Sequence, residues 1–218
     1  MNKRLFISII IFIFGMLLVG CNGNNKKVNS WDIDLVDKQA IISSEAMDVF
    51  NSVNDNKYQV VALLGKQVVA GTNYMFLCKD DNSYKVMVVY NNLENKASIT
   101  SISDFDVTKY TNENISNNYG NLSGGWYVDV PSKGVMLDEK IQTAFDEATS
   151  KITGATYLPI GVLAHQMVSG TNYAVLCYGK LATQEENNGI YLLTLYEDLH
   201  NTREIVSIAY VDLATFNR

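Results

Sequence analysis

The chain has 218 residues, of which 47% are hydrophobic and 18% are charged, and its formal net charge is −6. This length suits one large domain or two small ones, and the composition is that of a folded chain. The negative balance argues against a nucleic-acid partner, because neutralising phosphates requires a basic surface. The chain has only two histidines, His165 and His200, which leaves little material for a histidine-based metal site or catalytic triad.

The N-terminal residues form a segment of their own. Lys3 and Arg4 precede an almost wholly apolar run, Leu5 to Val19, and the sequence turns polar after Gly20-Cys21. This segment resembles the signal peptide and lipobox of bacterial lipoproteins. The resemblance implies that residues 1–20 are removed and that Cys21 carries the lipid, such as palmitate, that anchors the chain to the extracytoplasmic face of the cell membrane. A plain signal-anchor helix is the alternative, although the apolar run is short for a span.

The first half of the mature chain contains a tether, a helix and four strand-like segments. Residues 21–30 are polar and have too few apolar side chains to fold, so they are predicted to form a flexible tether. A helix is predicted from about Asp37 to Val53, because apolar residues recur there at helical spacing. The short connections that follow require antiparallel pairing. The predicted strands are Tyr58–Leu64, Thr72–Lys79, Tyr84–Tyr90 and Ala97–Val107.

The same order of elements is predicted again after a polar linker, 111–123. The two halves align at a shift of 99 residues, and at 106 beyond a longer loop, Gly179–Gly189. The sequence therefore predicts an α+β protein with two tandem domains, 31–110 and 124–218. Each domain is expected to have one helix packed on a roughly four-stranded antiparallel sheet. In the second half the helix is predicted from about Leu137, and the strands are Tyr157–Leu163, Thr171–Tyr178, Ile190–Tyr196 and Ile205–Leu213.

The clearest match between the halves is a glycine-tipped hairpin. The stretch Gln67-Val68-Val69-Ala70-Gly71-Thr72-Asn73-Tyr74 returns as Gln166-Met167-Val168-Ser169-Gly170-Thr171-Asn172-Tyr173. Gln-x-Val-x-Gly at a first hairpin, preceded by a helix and a strand, resembles the cystatins, which inhibit papain-like cysteine proteases. The resemblance covers both halves and implies tandem cystatin-like domains. Folding alone also explains such a turn, with glycine for positive φ and valine for strand packing.

In cystatins an N-terminal glycine segment and two hairpin loops form a wedge that fills the protease cleft. The second half is the better candidate, because Gly124-Gly125-Trp126 precedes its helix, whereas the first half has Ser30-Trp31-Asp32 there. The second hairpins, Asn91–Asn95 and Asp198–Asn201, are polar and lack the Pro-Trp pair usual in the family. The protease-binding residues that the resemblance implies are Gln67, Val69 and Gly71 in the first half and Gly124, Gly125, Trp126, Gln166, Val168 and Gly170 in the second.

Side chains for other chemistry are few. Cys78 and Cys177 hold equivalent strand positions and are predicted to be buried free thiols, since two separate cores would keep them beyond bonding distance. A disulfide between them is the alternative in an exported protein. No constellation of titratable side chains indicates catalysis, so no catalytic residue, metal or cofactor is expected.

These features predict a membrane-anchored, outward-facing, cystatin-like protein that inhibits papain-like cysteine proteases by occluding the cleft and is not an enzyme. The alternative is a non-inhibitory binding or structural lipoprotein of the cell envelope, because a fold does not by itself fix a function. The expected partners are a papain-like protease and, through the lipid anchor, the membrane.

Overall fold

The computed structural model describes residues 30–33, 42–111, 125–130, 136–182 and 187–216. Within these residues the chain forms two α-helices, nine strands and two 3-10 turns, Val107–Tyr110 and Leu213–Phe216. The helices are α1, Ser44–Val53, and α2, Glu139–Thr149. The strands are β1 (Gln59–Val69), β2 (Gly71–Lys79), β3 (Tyr84–Asn91), β4 (Ala97–Asp104), β5 (Trp126–Val128), β6 (Ala155–Val168), β7 (Gly170–Leu181), β8 (Asn187–Glu197) and β9 (Arg203–Val211).

The strands form two antiparallel sheets in which neighbours in sequence are neighbours in space. The first sheet has the order β1-β2-β3-β4 and the second the order β5-β6-β7-β8-β9. Hairpins this short connect antiparallel strands, as predicted. A single antiparallel bridge from Asp32 to Lys66 lies beside β1 in the way that β5 lies beside β6.

The largest hydrophobic core lies between the two sheets. It combines buried side chains of the first sheet, such as Leu64 and Leu77, with those of the second, such as Leu163 and Leu176. Neither α-helix contributes a described residue to it. Hydrogen bonds also join the sheets, since the Tyr178 hydroxyl donates to the carbonyl oxygen of Leu63 at 2.7 Å.

Each helix covers the outer face of one sheet. Ala46, Val49 and Phe50 of α1 pack against β2 and β3, and the ring of Phe50 lies edge-on to that of Phe76 at 5.3 Å. Ala144, Phe145 and Ala148 of α2 pack against β7 and β8. Ser43 caps the N-terminus of α1, where its hydroxyl oxygen accepts the N–H of Ala46. The layers therefore run helix, sheet, sheet, helix.

The predicted fold class was wrong. Among the described residues the protein is mostly β, with sheets of four and five strands and helices of only 10 and 11 residues. It is not a pair of helix-on-sheet domains, because the sheets bury their inner faces against each other. The strands also run further than the turn signals indicated. β6 spans 14 residues, and β7 and β8 extend into the predicted loop Gly179–Gly189.

Continuous apolar runs carried the signal for this arrangement. Five consecutive residues of β2, from Tyr74 to Cys78, are buried. A strand buried on both faces needs an apolar side chain at every position, whereas a strand with one wet face alternates. The run therefore indicates a second covering layer beneath the first sheet.

Several predictions fall outside the described residues. These are the leader 1–20, the lipidated Cys21, the tether up to residue 29, linker residues 112–123 and Gly124. In the part of the chain that the structure describes, no helix is long and apolar enough to cross a membrane.

Candidate binding edges

Each sheet carries a hairpin whose tip only glycine can form. Gly71 and Gly170 begin β2 and β7 with φ values of 122° and 134°, which side-chain-bearing residues rarely adopt. A Cβ atom added at Gly71 would lie 2.4 Å from the carbonyl oxygen of Asn91. At Gly170 it would lie 2.4 Å from the carbonyl oxygen of Glu197. The glycines thus let the strand that follows each hairpin, β3 in the first sheet and β8 in the second, pass directly beneath the tip.

A tyrosine of the neighbouring strand fixes each tip. The Tyr196 hydroxyl donates to the carbonyl oxygen of Ser169 at 2.6 Å, and the Tyr90 hydroxyl donates to that of Ala70. The 106-residue shift between the two halves of the sequence pairs these tyrosines, but it does not predict a role for them. Their hydrogen bonds satisfy the turn carbonyls and hold the tips in one conformation.

The glutamine of each motif is buried. Gln67 is 7% exposed and Gln166 is 1% exposed. Each lies opposite an asparagine across the hairpin, and the Nδ2 atoms of Asn73 and Asn172 donate to their Oε1 atoms at 2.9 and 2.7 Å. A buried, hydrogen-bonded amide pair serves the fold, so these glutamines support the tips from below.

The apolar residues of the tips face solvent instead. Val68 and Val69 are exposed at the first tip, as are Met167 and Val168 at the second. Exposed apolar side chains at a rigid turn are candidates for contact with a partner, because water is expelled from them on binding.

A second turn lies beside each tip. The Cα of Asn92 would be 3.1 Å from a Cβ on Gly71, and that of Asp198 would be 3.0 Å from a Cβ on Gly170. Leu93 and Leu199 follow these residues and are 82% and 81% exposed. The two turns therefore present a leucine next to the exposed residues of the tips.

Both second turns are built by side-chain hydrogen bonds to backbone. The Oδ1 atom of Asn92 accepts the N–H of Lys96 at 2.9 Å, and that of Asp198 accepts the N–H of Thr202 at 2.7 Å. The backbone bond from Thr202 holds the pKa of Asp198 below its ordinary value. Asn95, with φ 57°, and its counterpart at position 201, with φ 62°, complete the turns.

β5 brings an N-terminal segment to the second tip. Trp126 pairs with Gln166, so the chain before it, at the half-buried Gly125, runs out towards Met167. Trp126 itself is buried between the sheets, which makes it a support for this segment rather than an exposed contact. The sequence pattern did not predict β5 as a strand.

Three backbone segments thus lie side by side at one end of each sheet. Neighbouring strands of an antiparallel meander alternate in direction, so the start of β5, the β6–β7 tip and the β8–β9 turn share an end. We call Gly125–Trp126, Met167–Gly170 and Asp198–Asn201 the second edge. The first edge is its counterpart, Trp31–Asp32, Val68–Gly71 and Asn92–Asn95.

Charged residues brace the second edge. Glu197 precedes its turn and is buried, and it pairs with Lys140 of α2 at 2.8 Å and with Arg203 of β9 at 3.1 Å. Arg203 also pairs with Glu147 of α2 at 2.8 Å. Burial opposes the charge of Glu197, but the hydrogen bonds from Lys140 and Arg203 outweigh it and lower its pKa. At the first edge Asn91 takes this position.

The thiols and acidic residues offer no second site. Cys78 and Cys177 are free and buried, as predicted, and burial raises the pKa of Cys78 to about 12 and that of Cys177 well above its ordinary value. Such thiols remain protonated and unreactive. No cluster of three or more His, Cys, Asp or Glu side chains within the described ranges is arranged to hold a metal ion.

Comparison of the chain with protein-family models, with curated proteins and with solved structures found no match. The two edges, and the motif that forms them, are therefore the features of the molecule that indicate a function.

Proposed function

We propose that this protein is a membrane-anchored inhibitor of papain-like cysteine proteases that blocks the substrate cleft with the second edge. The observation that carries the proposal is the alignment of three segments at one end of the second sheet. The Gly125 segment, the Gly170 tip and the turn at 198–201 form one narrow line, and Met167, Val168 and Leu199 are exposed along it.

The chemistry of this line suits a narrow cleft. Met167, Val168 and Ser169 are exposed at the narrow tip and can enter a groove, and the buried Gly170 permits the tight turn that presents them. The chain at Gly125 can lie extended and pair with the protease backbone in the manner of an added strand. Burying Met167 and Leu199 would contribute about 25 cal/mol for each Å² of apolar surface removed from water. Inhibition is then occlusion, and no bond is made or broken.

The rigidity of the edge also favours binding. Tyr196 holds the tip carbonyl, and Glu197 connects the strand before the turn to α2. A surface that is ordered before it binds loses little conformational entropy on association. The bracing residues therefore act on affinity without touching the protease.

The set of contact residues differs from the one that the motif implies. Val168 is exposed and Gly125 is half-buried at the edge, whereas Gly170, Gln166 and Trp126 are buried beneath it. Two exposed residues outside the implied set, Met167 and Leu199, join the contact surface. An apolar residue within a polar turn is the sequence signal that marks Leu199.

We further propose that lipid on Cys21 keeps the inhibitor at the outer face of the membrane, as the Leu5–Val19 run and the Gly20-Cys21 junction support. The alternative function is a non-inhibitory envelope protein that binds another partner at the same edge. The polar character of the Asp198–Thr202 turn favours that reading, because only Leu199 is apolar there.

Titration of papain with the full chain in mild detergent tests the proposal. We expect loss of peptidase activity as the chain is added, and a roughly hundredfold weaker effect for Met167→Asp or Leu199→Asp, since each buries an unpaired carboxylate. Tyr210→Asp is the matched control, because Tyr210 and Met167 are both 57% exposed and Tyr210 lies at the far end of β9.

Full papain activity at micromolar folded chain, beside a working control inhibitor, contradicts inhibition. Capture of a non-protease envelope protein that Met167→Asp abolishes would then support the alternative.

A further inference from the structure

The two edges lie at opposite ends of the molecule. Asn188 is near the start of β8, at the end of the second sheet remote from the Gly170 tip. Its Nδ2 atom donates to the carbonyl oxygen of Ile33 at 3.4 Å. Ile33 follows Asp32, whose partner Lys66 lies in the half of β1 that is nearer the first tip. The remote end of the second sheet thus meets the tip half of the first.

Two further contacts between the sheets also indicate that the tips point in opposite directions. Tyr84 begins β3 at the end remote from the first tip, and its hydroxyl donates to the carbonyl oxygen of Asp129, which directly follows β5. Tyr178 lies far along β7 from the second tip and donates to Leu63 of β1. In each pair, a residue far from its own tip meets one that is nearer to the other tip. The distance between the tips follows from the strand residues that separate each contact from the first tip and from the second. At about 3.3 Å per residue, the two stretches together place the tips roughly 40 Å apart.

The two edges also present matching surfaces. Each has a positive-φ glycine, a tyrosine bonded to the turn carbonyl and two exposed apolar residues before the glycine. Leu93 and Leu199 have nearly equal exposure, 82% and 81%, in turns of the same construction. A surface that fits one cleft at the second edge therefore has a counterpart at the first.

We propose that one chain binds two papain-like proteases at once, one at each edge; this rests on the proposed function of the second edge. A globular protease of about 200 residues has a radius of gyration of about 17 Å. Two such bodies seated on tips that point in opposite directions do not overlap.

The two sites have unequal affinity. The second edge has three paired residues of β5 behind Gly125, whereas the first, within the residues that the structure describes, has the single bridge of Asp32, and its sequence has no glycine beside Trp31. Fewer backbone contacts and a less fixed N-terminal segment weaken the first site. The second edge therefore fills first.

The stoichiometry of the complex tests this proposal. Papain with its active-site cysteine blocked by a small thiol reagent is mixed with the full chain in detergent, and the mass of the complex is measured by light scattering. We expect two papain molecules per chain at saturation, with two binding steps in calorimetry. Leu93→Asp leaves one tight site, Leu199→Asp leaves one weak site, and Tyr210→Asp leaves both.

The outcomes separate the two proposals. Saturation at one papain per chain, with inhibition intact, overturns the two-site proposal and keeps the inhibitor. A complex with two papain molecules that survives Leu93→Asp also overturns it, because the second molecule then lies elsewhere. Absence of any complex, together with unchanged activity of unblocked papain, removes the proposed function itself.

Discussion

The two edges share a backbone but are held in place by different interactions. Both have the glycine tip, the Tyr–carbonyl bond and the Gln–Asn pair. The second edge adds three paired residues of β5 and the ion pairs of the buried Glu197. In the part of the chain that the structure describes, the first has one bridge, Asp32 to Lys66, and the Oδ1 atom of Asn91 is buried there without a hydrogen-bond partner.

This difference separates what the fold requires from what a function would select. Residues present in both edges make the tips, whose hydrogen bonds and glycine geometry are needed wherever the hairpin occurs. The bracing residues are not needed for the tip, since the first edge forms without them. Their presence at the second edge is the reason to place the stronger binding there.

Substitution of the tip glycines has the largest expected effect. Gly170→Ala and Gly71→Ala should each lower the free energy of unfolding by about 3 kcal/mol, because the new Cβ meets a backbone carbonyl at an unfavourable φ. Only Gly170→Ala should abolish the tight papain site. Urea unfolding and papain titration measure the two effects.

Gly154→Ala is the control for backbone strain alone. Gly154 has φ 79° with no atom within 4 Å of an added Cβ, so its substitution should cost only about 1 kcal/mol. Equal losses at all three positions would show that the close approach of the third strand is unimportant.

The next largest effect is expected when the charge of Glu197, which braces the second edge, is removed. Glu197→Gln is expected to destabilise the protein by about 1.5 kcal/mol, because it removes the charged acceptor that Lys140 and Arg203 share, although Arg203 keeps its pair with Glu147. Asn91→Ala at the equivalent position should be nearly neutral, since it removes a buried acceptor that lacks a donor. Thermal unfolding of both variants checks this, and the reverse order would contradict the assigned brace.

The stabilisation that Glu197 contributes should also depend on pH. The folded-state pKa of Glu197 lies below its ordinary value of 4.5, so its stabilisation is present above 4.5 and disappears as the pH falls through the folded-state pKa. The stability gap between wild type and Glu197→Gln should therefore narrow from about pH 6 to about pH 3. Denaturant melts at both pH values measure this gap, and a constant gap would mean that Glu197 is not stabilised as a carboxylate.

The smallest effect is expected for the Gln–Asn pair, which both edges contain. Gln166 and Asn172 should show a coupling of about 1 kcal/mol in a double-mutant cycle of alanine variants. The pair Gln67 and Asn73 should give a similar value. A coupling confined to Gln166 would indicate that the shared motif serves binding as well as folding.

Local structure followed from the sequence more directly than architecture. Glycine between strand-like segments predicted the tips, and helical spacing predicted α1 and α2, because short-range patterns determine these elements. The layer arrangement was missed because helix and strand patterns were interpreted one unit at a time. The buried run from Tyr74 to Cys78 shows that the first sheet has two covered faces, which one helix on one sheet cannot provide.

The candidate site was predictable in position but not in orientation. The motif placed the tips correctly at Gly71 and Gly170. It did not tell which side chains face solvent, since that depends on the sheet packed below. Gln166 therefore lies in the interior, and Leu199 was passed over because its neighbours are polar.

Hydrogen exchange of the full chain, alone and with blocked papain, tests most directly whether the second edge is the binding surface. We expect slowed exchange at the backbone amides around Gly125, Met167–Thr171 and Asp198–Thr202, together with weaker protection at the first tip. Protection confined to the outer strand β9, or no protection at the tips while papain stays inhibited, would place the inhibitory surface elsewhere. Either result would contradict the assignment of the second edge as the binding surface.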